Sequence, residues 1–457
     1  MLKRVLVANR GEIAVRIIRA LRDMGIPSVA VYAKEDRTAL HARLADSRVC
    51  IGEGPARNSY LNMDAILTAA RNMDCDAIHP GYGFLSENSA FARSCEENGI
   101  LFVGPKAEVI DEMGNKSAAR SRMEKAGVPV VPGTKEPVYD AEKALERARE
   151  IGFPIMIKAS SGGGGKGMRE CLSEEDFEAE FNTAQRESAN AFGDDSMYLE
   201  KLILHPRHVE VQIMGDSFGN VVSLGERDCS VQRNHQKLIE ESPSPAVSDG
   251  TRRKMMEAAV RAAKAVHYTG AGTIEFIMDQ GGAFYFMEMN TRIQVEHGVT
   301  ELVSGTDLVI EQLRIASGEP LSFRQEDILL RGHAIECRIN AEIPEQNFMP
   351  SPGKVTALHF PGGNGVRIDS ALYAGYSIPP EFDSMIAKIL VHAENREAAI
   401  RKMRSALDET LILGIETNLD FQYKIMQSET FCRGKADTGF IEAFTLGGKN
   451  HESGSEQ

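Results

Sequence analysis

Glu288, Asn290, Arg292, Gln294 and Glu296 occupy every second position of Phe286-Met287-Glu288-Met289-Asn290-Thr291-Arg292-Ile293-Gln294-Val295-Glu296-His297. If that run is a strand, its polar side chains share one face. Upstream, Gly272-Thr273-Ile274-Glu275-Phe276-Ile277 carries a further carboxylate, and Gln280-Gly281-Gly282 predicts a turn between the two runs. The pattern therefore predicts a hairpin that sets Glu275 beside Glu288. Two carboxylates and the Asn290 amide are all-oxygen donors, a set that suits Mg²⁺ held together with substrate phosphates. Such a face is costly to bury unless charges or ligands satisfy it. A solvated edge strand is the plain alternative.

A second chemical signal is Ser160-Ser161-Gly162-Gly163-Gly164-Gly165-Lys166-Gly167-Met168, which follows the strand-like Ile155-Met156-Ile157-Lys158. Successive glycines let backbone N–H groups close around phosphate oxygens. Gly162, Gly164 and Gly167 satisfy G-x-G-x-x-G, but that motif needs a helix directly after it, and Met168-Arg169-Glu170-Cys171 reads as extended. Lys166 precedes Gly167 rather than Ser or Thr, so the run is no P-loop. The sequence predicts a mobile hairpin flap over nucleotide phosphates. Lys158 and Lys116 are candidate phosphate cations, although a lone lysine is usually a solvated surface group.

The elements that must position these residues predict an α/β chain, α+β in part. Strands are expected at 4–8, 28–32, 49–51, 77–79 and 101–103, with helices at 12–24, 62–72 and 88–98 between them. That alternation predicts an N-terminal doubly wound parallel sheet, with ligand loops at the carboxyl ends of its strands. Asn9-Arg10-Gly11 and His79-Pro80-Gly81-Tyr82-Gly83 stand at such ends, where a plain βα turn would also use Gly and Pro. Boundaries are expected near residues 114 and 318. They give an N-terminal unit (1–114), a middle unit (115–318, with a lid at about 131–203), a strand-rich C-terminal unit (319–446) ending in a helix at 396–409, and a polar tail (447–457).

The composition sets limits. Fifty-two Lys and Arg stand against 66 Asp and Glu over 457 residues, a net charge of −14, which disfavours a nucleic-acid backbone as partner. Seven scattered cysteines without a C-x-x-C pair suit a reducing compartment. Neither a signal peptide nor a membrane-length apolar run is evident, so a cytoplasmic protein without membrane contact is expected.

Read together, Ala8-Asn9-Arg10-Gly11-Glu12-Ile13-Ala14, His79 to Asn88, the glycine run, Glu226-Arg227-Asp228-Cys229-Ser230, Gln232 to Lys237 and Glu288 to His297 resemble the biotin carboxylase family of the ATP-grasp superfamily. The resemblance spans nearly the whole chain. It implies a ligase that carboxylates biotin with bicarbonate and ATP through carboxyphosphate. By matched position it implies that Lys116, Lys158, Gly162, Gly163, Gly164, Gly165, Lys166, Gly167, His208, Gln232 and His235 bind the nucleotide, with Glu200 and Lys201 as the adenine hinge. Glu275, Glu288 and Asn290 would hold Mg²⁺ or Mn²⁺. Lys237, Arg292, Gln294 and Val295 would form the bicarbonate pocket, Glu296 the base, Arg338 the partner of the biotin enolate, and Tyr82 a biotin contact.

No Met-Lys-Met biotin-attachment segment occurs. Biotin is therefore expected on a separate biotin carboxyl carrier protein. With carboxyltransferase subunits and a homodimeric state, that resembles the multi-subunit acetyl-CoA carboxylase, with fatty acid synthesis downstream. A detached subunit of a pyruvate or other acyl-CoA carboxylase is the alternative. The chain departs from the family pattern at Gly298, usually proline, which predicts a looser backbone past Glu296. It departs also at Glu381-Phe382 and at Ile343-Pro344.

Overall fold

The computed structural model describes residues 2–159, 168–192 and 195–445. Strands Ser47–Cys50, Ser28–Tyr32, Val5–Val7, Ala77–His79 and Leu101–Phe102 lie side by side in that order, all parallel. Helices Gly11–Asp23, Met63–Asn72 and Ser89–Glu97 alternate with them. Asn62 and Asn88 cap the last two by accepting the N–H of Ala65 and Phe91. All eight expected ranges fall within two residues of those observed, because short buried β-branched runs and capped amphipathic windows are strong local signals.

The strand order reverses between Val5–Val7 and Ala77–His79, and the two loops at that point are tied together. Asn9 Nδ2 donates to the carbonyls of Pro80 (2.7 Å) and Tyr82 (2.8 Å). Gly81 has φ +63°, and a Cβ there would meet Asn9 Nδ2 at 3.0 Å, so this crossing requires glycine.

Residues 131–201 include a three-stranded antiparallel sheet of Met168–Cys171, Ile155–Ala159 and Met197–Lys201. Helices Ala141–Ile151 and Glu174–Phe192 pack on it through Ala144, Ala148, Phe177 and Phe181. Lys158 pairs with Met168, which brackets the glycine run between antiparallel strands. The predicted flap residues Gly162 to Gly167, Lys166 included, lie outside the described residues.

The largest sheet has eight strands: Phe284–Asn290, Gly270–Met278, Arg207–Gly215, Val221–Arg233, Gln236–Ser242, His333–Asn340, Met385–Ala393 and Val366–Ser370, in spatial order. Every neighbouring pair is antiparallel. Five strands precede residue 318 and three follow it, joined by the pairing of Glu240 with Glu336. The helix Arg396–Glu409 has its expected bounds but is not the last. Leu419–Gln427 and Glu429–Cys432 follow, and Phe421, Ile425, Met426 and Phe431 share its core. The cysteines are free, and among the described residues no helix is long and apolar enough to cross a membrane.

Asp36 joins the first and last units. Its buried carboxylate accepts from Arg10, Tyr60 and Tyr376, and the ring of Phe382 lies 4.2 Å from the Arg10 guanidinium carbon. His41 is fully buried beside this group. Burial pushes its pKa down to about 4, with Asp36 opposing and Arg10 assisting. The unfolded chain therefore binds the extra proton between pH 6.5 and 4, and stability falls as pH drops through that window. The expected loss is about 3 kcal/mol. Urea midpoints of the protein and of His41→Gln across the window should differ in slope, the variant being flatter; parallel curves would refute this.

Candidate active site

The predicted hairpin forms, and its register sets Glu275 opposite Glu288 and Thr273 opposite Asn290. Asn290 Nδ2 donates to Glu275 Oε1 at 2.9 Å. The Glu288 carboxylate stays 43% exposed, with Lys116 Nζ 3.7 Å away. Beside them a cavity of about 220 Å³ is lined by Glu87, Met113, Lys116, Glu288, Asn290 and Thr291, among others.

One expectation fails. The polar alternation through Arg292, Gln294 and Glu296 is not a strand, because the ladder ends at Asn290 and a helix begins at His297. Glu87 draws the chain out of register. Its carboxylate accepts the Thr291 N–H (3.1 Å) and Arg292 Nε (2.8 Å), replacing strand partners with bonds to the Ser86-Glu87 loop. Arg292 also donates to Asn290 Oδ1 at 3.0 Å.

Out of the ladder, Gln294 and Glu296 still turn inward. Lys237 Nζ sits among three carboxylates: Glu210 Oε2 (2.6 Å), Glu296 Oε1 (2.6 Å) and Glu275 Oε1 (3.1 Å). The other Glu296 oxygen accepts from Arg338 at 2.9 Å, and Arg338 Nε donates to Glu240 at 2.6 Å. Arg338 is thus paired with Glu240 and Glu296 rather than with Glu336 two residues away. Burial alone would raise the pKa of Glu296, but the Lys237 ammonium and then Arg338 hold it below the ordinary carboxylate value. Glu275, also buried, is held low by Lys237 and His208. Burial opposes charge on His208, yet Glu210 and Glu275 raise its pKa to about 9, so at neutral pH it is a further cation here. His208, Glu210 and Glu275 bring potential ligand atoms within 4.8 Å of one another.

A fully buried guanidinium underlies this cluster. Arg227 donates to Glu210 (2.6 Å), Gln212 (2.7 Å), Gln294 (2.8 Å), Thr300 (2.9 Å) and Thr273 (3.0 Å). Gln294 in turn donates to Glu275 Oε1 at 2.8 Å. Tyr82 reaches the same region through its hydroxyl, which bonds to Glu12.

The remaining candidates are distributed differently. Lys158 pairs with Glu200 across the three-stranded sheet. Lys201 Nζ is committed to the carbonyls of Gly152 (2.8 Å) and Phe153 (2.6 Å). Gln232 lies opposite Lys237 in register, and His235 is exposed at the turn beyond, where it and Asn234 both have positive φ. Gly298 is buried in the first turn of the helix His297–Ser304, with Leu390 Cδ2 2.4 Å from where a Cβ would sit. The backbone past Glu296 is packed rather than loose; the glycine admits a neighbouring strand.

Sequence reasoning gave no role to Glu12, Glu87, Glu210, Arg227, Glu240 or Lys388. Glu210 had a signal, since His208, Glu210 and Gln212 alternate within an apolar strand as Glu288 and Asn290 do.

Three family models match consecutive parts of the chain: biotin carboxylase N-terminal domain over residues 1–110, carbamoyl-phosphate synthase L chain ATP-binding domain over 115–324, and biotin carboxylase C-terminal domain over 336–443. Biotin carboxylase 1 of Bacillus subtilis is 54% identical over 98% of this chain and 100% of its own length. The chain belongs to the biotin carboxylase family. It is an enzyme of that family, with the ATP-grasp fold. The chloroplastic biotin carboxylase of Arabidopsis thaliana is 52% identical over 96% of this chain and 82% of its own. Among solved structures, the biotin carboxylase subunit of pyruvate carboxylase superposes with TM-score 0.92 at 48% identity, covering 98% of this chain and 99% of that one. The biotin carboxylase domain of Hydrogenobacter thermophilus 2-oxoglutarate carboxylase, a dimer in complex with MgADP, ADP and bicarbonate, gives 0.86 at 48%, covering 97% and 98%.

Proposed function

We propose that this enzyme carboxylates biotin, carried on a separate protein, with bicarbonate in an ATP- and Mg²⁺-dependent reaction. The observation that carries the reading is the buried Glu296 carboxylate held between Lys237 and Arg338. An ionised carboxylate beside two cations is what an anionic substrate needs: the cations attract bicarbonate and the carboxylate takes its proton.

In this reading Lys237, Arg292, Gln294 and Val295 hold bicarbonate while Glu296 deprotonates it. The bicarbonate oxygen then attacks the γ-phosphorus, the bond to ADP breaks, and carboxyphosphate forms. Lys116, Lys158, His208, Gln232, His235 and the glycine flap hold the nucleotide, with Glu200 and Lys201 at the adenine. Glu288 and Asn290 line the cavity and Glu275 stands opposite Glu288 across the ladder, an all-oxygen set that fits a hard divalent cation. Bound there, Mg²⁺ or Mn²⁺ supplies neutralising charge to the phosphate oxygens. Carboxyphosphate breaks to CO₂ and phosphate, phosphate takes the ureido proton of biotin, and the freed ureido nitrogen attacks CO₂ to form the N–C bond of carboxybiotin, with Arg338 facing the transient oxyanion and Tyr82 nearby.

Phosphate release from MgATP and bicarbonate should be stimulated by free biotin. Folded protein that binds nucleotide but shows no biotin response would instead indicate an ATP-grasp ligase joining a carboxylate to an amine.

For the acceptor we favour acetyl-CoA, through a biotin carboxyl carrier protein and carboxyltransferase subunits, in a cytoplasmic homodimer. Full-length likeness to bacterial and chloroplastic biotin carboxylases supports this. The biotin carboxylase subunit of pyruvate carboxylase is also a close structural likeness, so transfer from the carboxylated carrier to acetyl-CoA and to pyruvate should be compared directly.

A further inference from the structure

Lys388 is fully buried on the strand Met385–Ala393. Three carboxylates surround its ammonium, none in hydrogen-bonding range: Glu12 at 3.6 Å, Asp369 at 3.7 Å and Glu336 at 3.9 Å. Its short contact is to a neutral atom, the backbone carbonyl of Val295, at 2.5 Å. An ammonium present only to balance buried charge would close on a carboxylate to 2.7–2.9 Å, about the length of a charge-assisted bond. This one spends its direct bond on the loop carrying Gln294 and Glu296. Burial disfavours its charge, but Glu12, Glu336 and Asp369 keep it protonated, so all three N–H donors persist.

The placement is specific. In the sheet Lys388 lies directly opposite Arg338 on one side and Asp369 on the other, so the three side chains share a face. Glu12, beside it, comes from the first helix of the parallel-sheet unit and bonds the Tyr82 hydroxyl. The loop itself has left the ladder at Asn290, and strand pairing no longer fixes the Val295 peptide. Arg227 holds Gln294 on one side of that peptide; Lys237 and Arg338 pull on the Glu296 side chain on the other.

We propose that Lys388 is a positioning residue for the carboxylation reaction: through the Val295 carbonyl it fixes the turn that aims Glu296 between Lys237 and Arg338. The inference rests on the carboxylase reading for its kinetic consequence, but its structural half stands alone. Lys388 touches neither the nucleotide candidates nor the Glu275–Glu288 pair, so its loss acts on bicarbonate and biotin rather than on ATP.

The test compares Lys388→Met with Lys388→Met/Asp369→Asn, which removes one matching negative charge while Arg367 keeps Glu301 as its partner, but does not restore the Val295 bond. In Lys388→Met, biotin-stimulated kcat/KM for bicarbonate should fall on the order of 10²-fold, the effect of misplacing a reacting group by about 1 Å. The Kd for ADP should stay within about twofold, and backbone hydrogen exchange across residues 291–300 should accelerate. In the double variant Tm should recover while turnover and exchange do not. Turnover returning together with Tm would reduce Lys388 to charge balance and overturn the proposal. So would unchanged exchange at 291–300 in both variants, or failure of both to fold. Absence of biotin-stimulated turnover in the parent protein would be a failure of the carboxylase reading alone, since the exchange measurement still decides the role of Lys388.

Discussion

Glu296→Gln should fold normally, bind ATP, and lose biotin-dependent phosphate release by about 10²–10⁴-fold, the usual contribution of a positioned general base. The substitution keeps the shape and removes only the charge and the basic lone pair. Lys237 keeps Glu210 and Glu275 as partners, and Arg338 keeps Glu240, so neither cation is stranded and the fold has no reason to collapse. The loss should fall on kcat, because the amide can still bond bicarbonate but cannot take its proton. Initial-rate phosphate release against bicarbonate concentration, with the ADP Kd as control, reads both quantities. A loss under about tenfold would mean that another group is the base.

Arg227→Met should be the most destabilising single change near the site, at about 3–5 kcal/mol, the range for breaking a buried ion pair from one side. The methionine fills much of the volume but leaves Glu210, Gln212, Thr273, Gln294 and Thr300 without their shared donor, in a place water does not reach. For a chain of this size a fall in Tm of roughly 3–5 °C is expected. Arg227→Lys should be intermediate, because an ammonium keeps the charge but cannot fork to five acceptors. A shift under about 1 kcal/mol for Arg227→Met would show that water or a rearranged side chain replaces the guanidinium.

The fold was largely legible because its local signals agree. Val5–Val7, Ser28–Tyr32 and Ala77–His79 are short buried runs separated by helices, and Gly81 sits at a loop crossing that a side chain would crowd. The hairpin that opposes Glu275 to Glu288 followed from a glycine turn between two alternating runs. What sequence missed lies across long separations. Period-two polarity at Arg292, Gln294 and Glu296 implied a strand, and only a carboxylate some 200 residues earlier, Glu87, breaks it. Arg227 stood in a motif without a visible task, since its five acceptors come from four different segments. Lys388 is a lysine within an apolar strand, as Lys158 is, and its meaning depends on a backbone carbonyl that no side-chain pattern can display.

The eight-stranded sheet has one further consequence. The Glu275–Glu288 pair stands at one end, Arg338 and Lys388 stand near the other, and Lys237 lies on a strand between them, all joined by antiparallel pairing from strand to strand. These residues therefore share one sheet, and they cannot swing apart as domains do on a linker. Severing the chain near Gly318 would not release two working halves. It would strip the partner from Gln236–Ser242 on one fragment and from His333–Asn340 on the other, and two bare edges of that length invite pairing with any passing strand. On the proposed roles, the Glu275–Glu288 pair and Arg338 move as parts of one sheet.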